Sequence, residues 1–356
     1  MSKTKAERLT DELRSSIIEH TYRYRDKLPT EMALVEKYSV SRQTVRKALA
    51  ALVSEGLLES IQGSGYYVTY NLKNSQKCMR IAVIATYITE YIFPLILNGI
   101  ERTASENGYS VMITATNNSI ASERAILENL MKNPVDGILV EGTKTALPNP
   151  NIIYYRKLAD SGIPIVFFNG YYASLEHPDI KHVVVDDYNG GRILVRYLIE
   201  HGHEKIGGIF KSDDIQGNLR FSGFIDELME SGVGYSDSSI AWFTTENKYV
   251  FLNGIRSGSM LKNIMNTCTA IVCFNDEIAY QLTMILDNTQ ETTVRTIVSF
   301  DHHKDIRSTS GIEVLSLGFP KDTMGRTITE KLIRMIDCAG EESETLDWLP
   351  LESSCQ

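Results

Sequence analysis

The feature that most constrains this chain is a series of short apolar segments that begins near Met79. RIAVIAT, YSVMITAT, DGILVEG, IPIVFFNG, HVVVDD, KIGGIFK, TAIVCFN and TIVSFD follow one another. Most are separated by 15 to 30 residues with helical patterning, as in FPLILNGIERTASENG and SERAILENLMKN. A segment that is apolar on both faces belongs to a strand covered on both sides, and such strands form parallel sheets flanked by helices. The pattern therefore predicts an α/β unit with parallel sheets. About 275 residues are more than one doubly wound sheet accommodates, so the expectation over 79–356 is two lobes. Ligands of such folds bind beyond the carboxyl ends of the strands, and between two lobes that crevice becomes a cleft.

The first 70 residues are patterned differently. Leu9, Leu13, Ile17 and Ile18 make an apolar stripe at helical spacing. The basic, aromatic stretch Tyr22 to Leu28 reads as a connector. In LPTEMALVEKYSV, Thr30 can cap a helix that starts near Glu31 and turns Leu34 and Val35 toward a core. After the break Tyr38-Ser39-Val40, Ser41 can cap a second helix. Val45, Ala48, Leu49 and Leu52 point inward on it, while Arg42 with Arg46, and Gln43 with Lys47, lie four apart on its outer face. SEGLLES-IQGSG-YYVTY then reads as a hairpin, with Gly63 and Gly65 in the turn and Gln62 and Ser64 at the tip.

Helix, short break, basic helix and glycine-tipped hairpin in that order make a winged helix-turn-helix over residues 1–70. A lone basic helix is more often a solvated surface; the ordered combination is what points to DNA. The second helix of such a unit enters the major groove with its N-terminus leading. Arg42 and Arg46 can pair with guanine and Gln43 with adenine. Ser41 and Thr44, at the helix start, suit phosphates. Residues 71–78, NLKNSQKC, are polar and aperiodic and read as a linker.

The net charge of −9 looks wrong for a DNA-binding chain until it is divided along the sequence. Residues 1–70 carry 11 basic and 9 acidic side chains, and the remainder carries 25 basic and 36 acidic. The acidity belongs to the larger part. The five cysteines, Cys78, Cys268, Cys273, Cys338 and Cys355, have no zinc-like spacing. The N-terminus has no apolar signal core, and no apolar window approaches the length of a membrane span. The expectation is a cytoplasmic chain without membrane contact.

Polar residues at the strand ends supply a candidate ligand site. Glu141 and Lys144 follow DGILV, Asn169 follows IPIVFF, Asn275 follows TAIVCF and Asp301 follows TIVSF. Arg220 begins a helical segment after KIGGIF, and Tyr87 and Tyr91 flank the first strand end. Carboxylate, guanidinium and amide groups make paired hydrogen bonds to vicinal hydroxyls, and aromatic faces cover the C–H side of a sugar. The set suits a small neutral polyol, although any one of these residues is as often a helix cap or a turn former.

Other chemistry is not expected. His201-Gly202-His203 reads as a turn between helix and strand, and the adjacent His302 and His303 do not converge on one ion. There is no G-x-S-x-G elbow, and no G-x-G-x-x-G follows the first strand. No catalytic residue, metal or cofactor is assigned.

LPTEMALVEKYSVSRQTVRKALAALVSEGLLESIQGSGYYV resembles the DNA-binding module of the GntR family. That resemblance implies DNA contacts at Arg42, Thr44, Arg46, Gln62 and Gly63, with Lys5 near the N-terminus. Glu31 is a further candidate, with helix capping as its alternative. MRIAVIATYITEYIFPLILNGIE, VDGILVEGTKTALPNPNIIYY, DDYNGGRILVRYLIEHGHEKIGGIFKSDDIQGNLRFSGF and CFNDEIA resemble the LacI and periplasmic-binding type of sensor. Arg220, Asn275 and Asp301 match that family's sugar contacts. Asn169 stands where many relatives have Asp, and His302-His303 where they often have Asp and a small residue. The combination is similar to bacterial repressors that respond to L-arabinose. It implies a homodimer, double-stranded operator DNA and a sugar effector. Another pentose, a purine, or a soluble sugar-binding role remain as alternatives.

Overall fold

The computed structural model describes residues 4–18, 21–22, 26–61, 63–69, 77–89, 92–133, 135–251, 261–289, 292–302, 306–338 and 340–353. Of the residues singled out above, Gln62, Tyr91, His303 and Cys355, and residues 71–76 of the expected linker, lie outside them.

The N-terminal unit contains α1 (Lys5–Ile18), α2 (Glu31–Tyr38), α3 (Arg42–Ser54), β1 (Leu58–Ile61) and β2 (Gly65–Val68). Thr30 Oγ1 accepts from Ala33 N at 3.2 Å and so caps α2. Ser41 Oγ accepts from Thr44 N at 3.2 Å and caps α3. Between the helices Ser39 takes a left-handed φ of 50°, which ends α2 and aims the chain into α3. Leu13, Ile17, Leu34, Val45, Leu49 and Leu52 are wholly buried in one core. Each contributes on the order of 1.5–3 kcal/mol by leaving water. The hairpin pairs Ile61 with Gly65 across a turn in which Gly63 has φ 78°. A third edge forms where Lys27 bridges to Tyr67.

The rest of the chain builds two six-stranded sheets. The first lobe holds β3 (Arg80–Ala85), α4 (Phe93–Glu106), β4 (Ser110–Ala115), α5 (Ile120–Lys132), β5 (Gly137–Val140), α6 (Ile152–Asp160), β6 (Ile165–Phe168) and β7 (Ile180–Val185). The second holds α7 (Asp187–Glu200), β8 (Ile206–Lys211), α8 (Ile215–Glu230), β9 (Ile240–Phe243), α9 (Lys262–Thr267), β10 (Ala270–Cys273), α10 (Asp276–Leu286), β11 (Thr296–Asp301) and β12 (Glu313–Gly318). The chain then returns through α11 (Lys321–Ile336) and β13 (Glu344–Leu346) to the first lobe, and ends with β14 (Leu351–Ser353) on the second. The strand orders are β13-β7-β6-β5-β3-β4 and β14-β12-β11-β10-β8-β9.

All pairings are parallel except the antiparallel edge between β12 and β14. The sequence reading passed over β9, β12, β13 and β14. The two terminal strands are three residues each and β9 is half exposed, so they lack the fully apolar signature. Arg220 also lies inside α8 rather than at the start of a helix.

Among the described residues the chain passes between the lobes three times, near 185–187, 318–321 and 346–351. Trp348 ties these crossings together. Its Nε1 donates to Asp186 O at 2.7 Å, and its ring meets Phe319 edge-on at 6.0 Å. Leu349 N donates to Gly318 O at 2.7 Å.

Helix packing in each lobe depends on glycines. Gly99 of α4 faces Gly325 of α11, and Gly191 of α7 faces the Arg220 carbonyl of α8. A Cβ on Gly223 would lie 1.9 Å from Tyr188 O. Gly223→Ala is expected to lower the unfolding free energy by about 1–3 kcal/mol through overpacking. Urea denaturation followed by Trp fluorescence checks this. Gly234→Ala is the control, because a Cβ there meets nothing within 4 Å; its effect is expected to stay within about 0.5 kcal/mol.

Candidate functional site

Two sites follow from this frame, one on α3 and one in the cleft. On α3, Ser41, Arg42, Gln43, Arg46 and Lys47 are exposed, and Thr44 is partly so. Lys5 is exposed on α1 and Gly63 at the hairpin tip. Glu31 is not a cap. Its carboxylate accepts from Arg42 Nε at 3.3 Å and from Arg46 Nε at 3.0 Å. It braces two arginines that are otherwise about 60% exposed, 61% and 62%. A braced guanidinium loses less freedom on making a further contact, so the bracing presets the exposed face of α3.

The cleft opens at the carboxyl ends of strands from both sheets. Of the residues expected from sequence, Tyr87, Glu141, Asn169, Arg220, Asn275 and Asp301 line one cavity. Lys144 is not in its wall; its ammonium pairs with Glu246 of the other lobe. The cavity measures about 110 Å³, roughly seven to eleven water-sized volumes at about 10–15 Å³ each.

Arg220 is 2% exposed. Its Nε donates to Asp187 Oδ1 at 2.7 Å and its Nη1 to Phe274 O at 2.6 Å. Its Nη2 lies 3.6 Å from Asp301 Oδ1. The guanidinium carbon is 4.2 Å from the Phe300 centroid and 5.4 Å from that of Trp348. Burial pushes the Asp187 carboxyl up to about 6, against the pull of the Arg220 charge. Asp301 has φ 92° and Asn169 φ 58°, conformations that L residues adopt rarely, so both strand ends store local strain. Lys321, at the start of α11, holds the Asp301 and His302 carbonyls.

Glu141 is buried in the cavity wall and accepts from Thr86 N at 3.0 Å, from the Thr86 hydroxyl, and from Asn169 Nδ2 at 2.9 Å. Burial outweighs these bonds and pushes its carboxyl up to about 7. Asn275 both lines the cavity and caps α10, accepting from Ile278 N at 3.1 Å. The capping reading is thus met, and the same side chain stands in the cavity wall.

Sequence reasoning missed Lys211, Asn118, Phe243 and Phe274 in the wall. Lys211 and Phe274 stand immediately at or after strand ends that the apolar runs already marked. Position relative to the strand was the available signal. Lys211 pairs with Asp214, and Lys248 with Glu277 at 2.7 Å. With Arg220 set between Asp187 and Asp301, each cation in the wall has a carboxylate partner. The wall therefore offers an ionic ligand no unpaired cation, and it offers many groups for hydroxyls. Among the described residues no group of His, Cys, Asp and Glu is arranged to hold a metal. No described helix is long and apolar enough to cross a membrane.

Comparison with known proteins agrees with this division. Residues 5–68 match the model of bacterial regulatory proteins of the gntR family, and residues 81–307 match the periplasmic binding protein domain. The chain is 36% identical over 345 residues to the arabinose metabolism transcriptional repressor of Halalkalibacterium halodurans, covering 94% of this chain and 90% of that one. It is 35% identical over 333 residues to the protein of the same description from Geobacillus stearothermophilus, covering 92% and 90%. The crystal structure of the transcription regulator CcpA of Lactococcus lactis superposes with a TM-score of 0.65 at 19% identity, over 78% of this chain and 99% of that one. At that identity the likeness shows the fold.

The Glu141 shift has a measurable consequence. Between pH 4.5 and about 7 the folded chain holds a proton that the unfolded chain has released. Stability therefore falls as pH rises through that window. Asp187 acts with the same sign between 3.8 and about 6. Glu141→Gln removes the first contribution and leaves the second. Urea unfolding at pH 4.5 and pH 8 is expected to show a smaller loss in the variant, by on the order of 1–3 kcal/mol. Equal losses in both proteins would contradict the assignment.

Proposed function

The chain belongs to the family of arabinose metabolism transcriptional repressors, and from that premise we propose that it is a homodimeric repressor of sugar-utilisation genes that leaves its operator when L-arabinose binds between the sensor lobes. Residues 1–70 are the DNA-binding domain, 71–78 the linker and 79–356 the sensor and dimerisation domain. The protein acts in the cytoplasm, where its operator is, and catalyses no reaction on the sugar.

The observation that carries this reading is the cleft, a partly open cavity in which each cation of the wall is already matched by a carboxylate. Such a wall favours a neutral ligand that exchanges hydrogen bonds with water for bonds to Glu141, Asn169, Arg220, Asn275 and Asp301. Tyr87 and Phe274 supply aromatic surface for sugar C–H groups. A pentose, with about ten non-hydrogen atoms, is in keeping with the water-sized volumes that the cavity offers.

On DNA, α3 lies in the major groove with Arg42, Gln43 and Arg46 toward bases. Ser41, Thr44, Lys5 and the hairpin residues Gln62 and Gly63 lie toward the backbone or minor groove. Glu31 holds the arginines in place and takes part in the same face. Two heads read half-sites about 34 Å apart or a multiple of that. The first lobe is the proposed dimer contact. β4 is its edge strand, with Met112 and Ile113 exposed, and Leu95 of α4 is exposed as well.

Isothermal titration tests the ligand. Saturable binding of L-arabinose is expected, and Asp301→Asn and Arg220→Ala are expected to weaken it by more than about tenfold, above about 1.4 kcal/mol. Binding of a purine nucleoside, with no pentose bound, would reject the ligand and keep the architecture. For DNA, Arg46→Ala is expected to cost about 1–3 kcal/mol at the cognate operator. Lys5→Ala is expected to weaken binding on every sequence and to flatten the salt dependence. An Arg46→Ala loss of equal size on cognate and random DNA would remove Arg46 from base reading.

A further inference from the structure

On the cleft rim a set of contacts joins the lobes without involving any crossing segment. The Lys144 ammonium, from the loop after β5, pairs with the Glu246 carboxylate, from the turn after β9. Around this pair, Asn118 Nδ2 donates to Thr245 Oγ1 at 2.6 Å and Ile215 N donates to Thr145 Oγ1 at 3.0 Å. Ala146 N donates to Asp213 O at 3.2 Å. Two of these bonds use backbone amides, one from each lobe.

The first-lobe half of this array is held rigid. Lys144 has φ 48°, and its backbone N donates to Asn118 Oδ1 at 2.9 Å. Beneath the loop, the wholly buried Glu123 accepts from Tyr172 Oη and Tyr155 Oη, both at 2.7 Å, and from Asn149 Nδ2 at 2.8 Å. Tyr172 Oη in turn accepts from Thr143 N at 2.8 Å. The loop therefore does not have to be ordered when the lobes meet. Lys144 is only 14% exposed on its side chain, whereas Glu246 is 63% exposed. The backbone that carries the cation is held on one lobe, and its carboxylate partner on the other lobe stays open to water.

We propose that Lys144 and Glu246 form an electrostatic clasp that sets how far the closed state is favoured, and so tunes sugar affinity without either residue touching the sugar. The proposal rests on the sensor reading above for its effect on ligand, but not for its effect on closure. Both residues are positioning residues. A partly exposed pair of this kind shifts an equilibrium modestly and is weakened by salt.

The test has two readouts on the full chain. The first needs no sugar. Hydrogen exchange at the Ala146 and Ile215 amides reports lobe opening, because both donate across the cleft. Lys144→Gln and Glu246→Gln are each expected to speed that exchange about two- to fivefold, with the double variant no faster than either single one. The charge-swapped protein, Lys144→Glu with Glu246→Lys, is expected to return toward wild type. Titration with L-arabinose on the same proteins is expected to show weakening by the same factor, and high salt is expected to erase the difference. Exchange unchanged in Glu246→Gln overturns the clasp. So does sugar binding lost in Lys144→Gln, intact in Glu246→Gln and not rescued by the swap, since that pattern makes Lys144 a direct ligand. Wild-type protein that binds no sugar, with exchange still responding to both variants, defeats the sensor reading and leaves the clasp standing.

Discussion

The buried Arg220 guanidinium is the interaction on which the second lobe and its cleft depend. An unpaired guanidinium at that depth would cost several kcal/mol. The chain surrounds it with Asp187, Asp301, the Phe274 carbonyl and three aromatic rings. Those partners come from the start of α7, the end of β11, the turn after β10 and the last crossing segment. One side chain thus fixes the relative position of strand ends that would otherwise be independent. Gly191 and Gly223 let α7 and α8 approach closely enough for that arrangement. Because Trp348 also bonds the first crossing at Asp186, the guanidinium that lines the cavity is two contacts away from that crossing. A ligand that changes what Arg220 can bond to has a short physical route to lobe orientation.

The route to the DNA-binding unit runs through the first lobe. The Asp136 carboxylate accepts from Cys78 N at 3.0 Å and from Arg80 N at 3.1 Å, and Lys77 pairs with Asp337 at the end of α11. The segment that leads into β3 is thus fastened to the first lobe. A rotation of the lobes about the three crossings would therefore move the second lobe relative to that anchor. In the proposed dimer through the first lobe, the same rotation would change the surfaces around the heads. A switch of this kind works through different ligand affinities for the two states, and it is reciprocal.

Much of this was legible in the sequence, for physical reasons. All eight apolar runs became strands, although β4, at the edge of its sheet, leaves Met112 and Ile113 exposed. The caps Thr30, Ser41 and Asn275 were legible because a side-chain oxygen before an amphipathic stretch has one dominant use. β9, β13 and β14 were not, because short or half-exposed edge strands bury too little to leave a pattern. Lys144 shows the limit for the site. Its position after a strand suggested the cavity, but the pairing with Glu246 depends on how two lobes meet, which no local spacing encodes. Glu31 shows the same limit, since its arginine partners lie 11 and 15 residues away on another helix.

The central claim is that sugar and operator compete through the state of the cleft. The most direct measurement is the affinity of the full chain for a fluorescently labelled operator, titrated with L-arabinose at fixed salt, together with the affinity for L-arabinose with and without saturating operator. The account predicts that the sugar weakens operator binding roughly 5- to 150-fold, and that operator weakens sugar binding by the same factor. Tighter operator binding with sugar, or operator affinity that does not change while the sugar is bound, would contradict it.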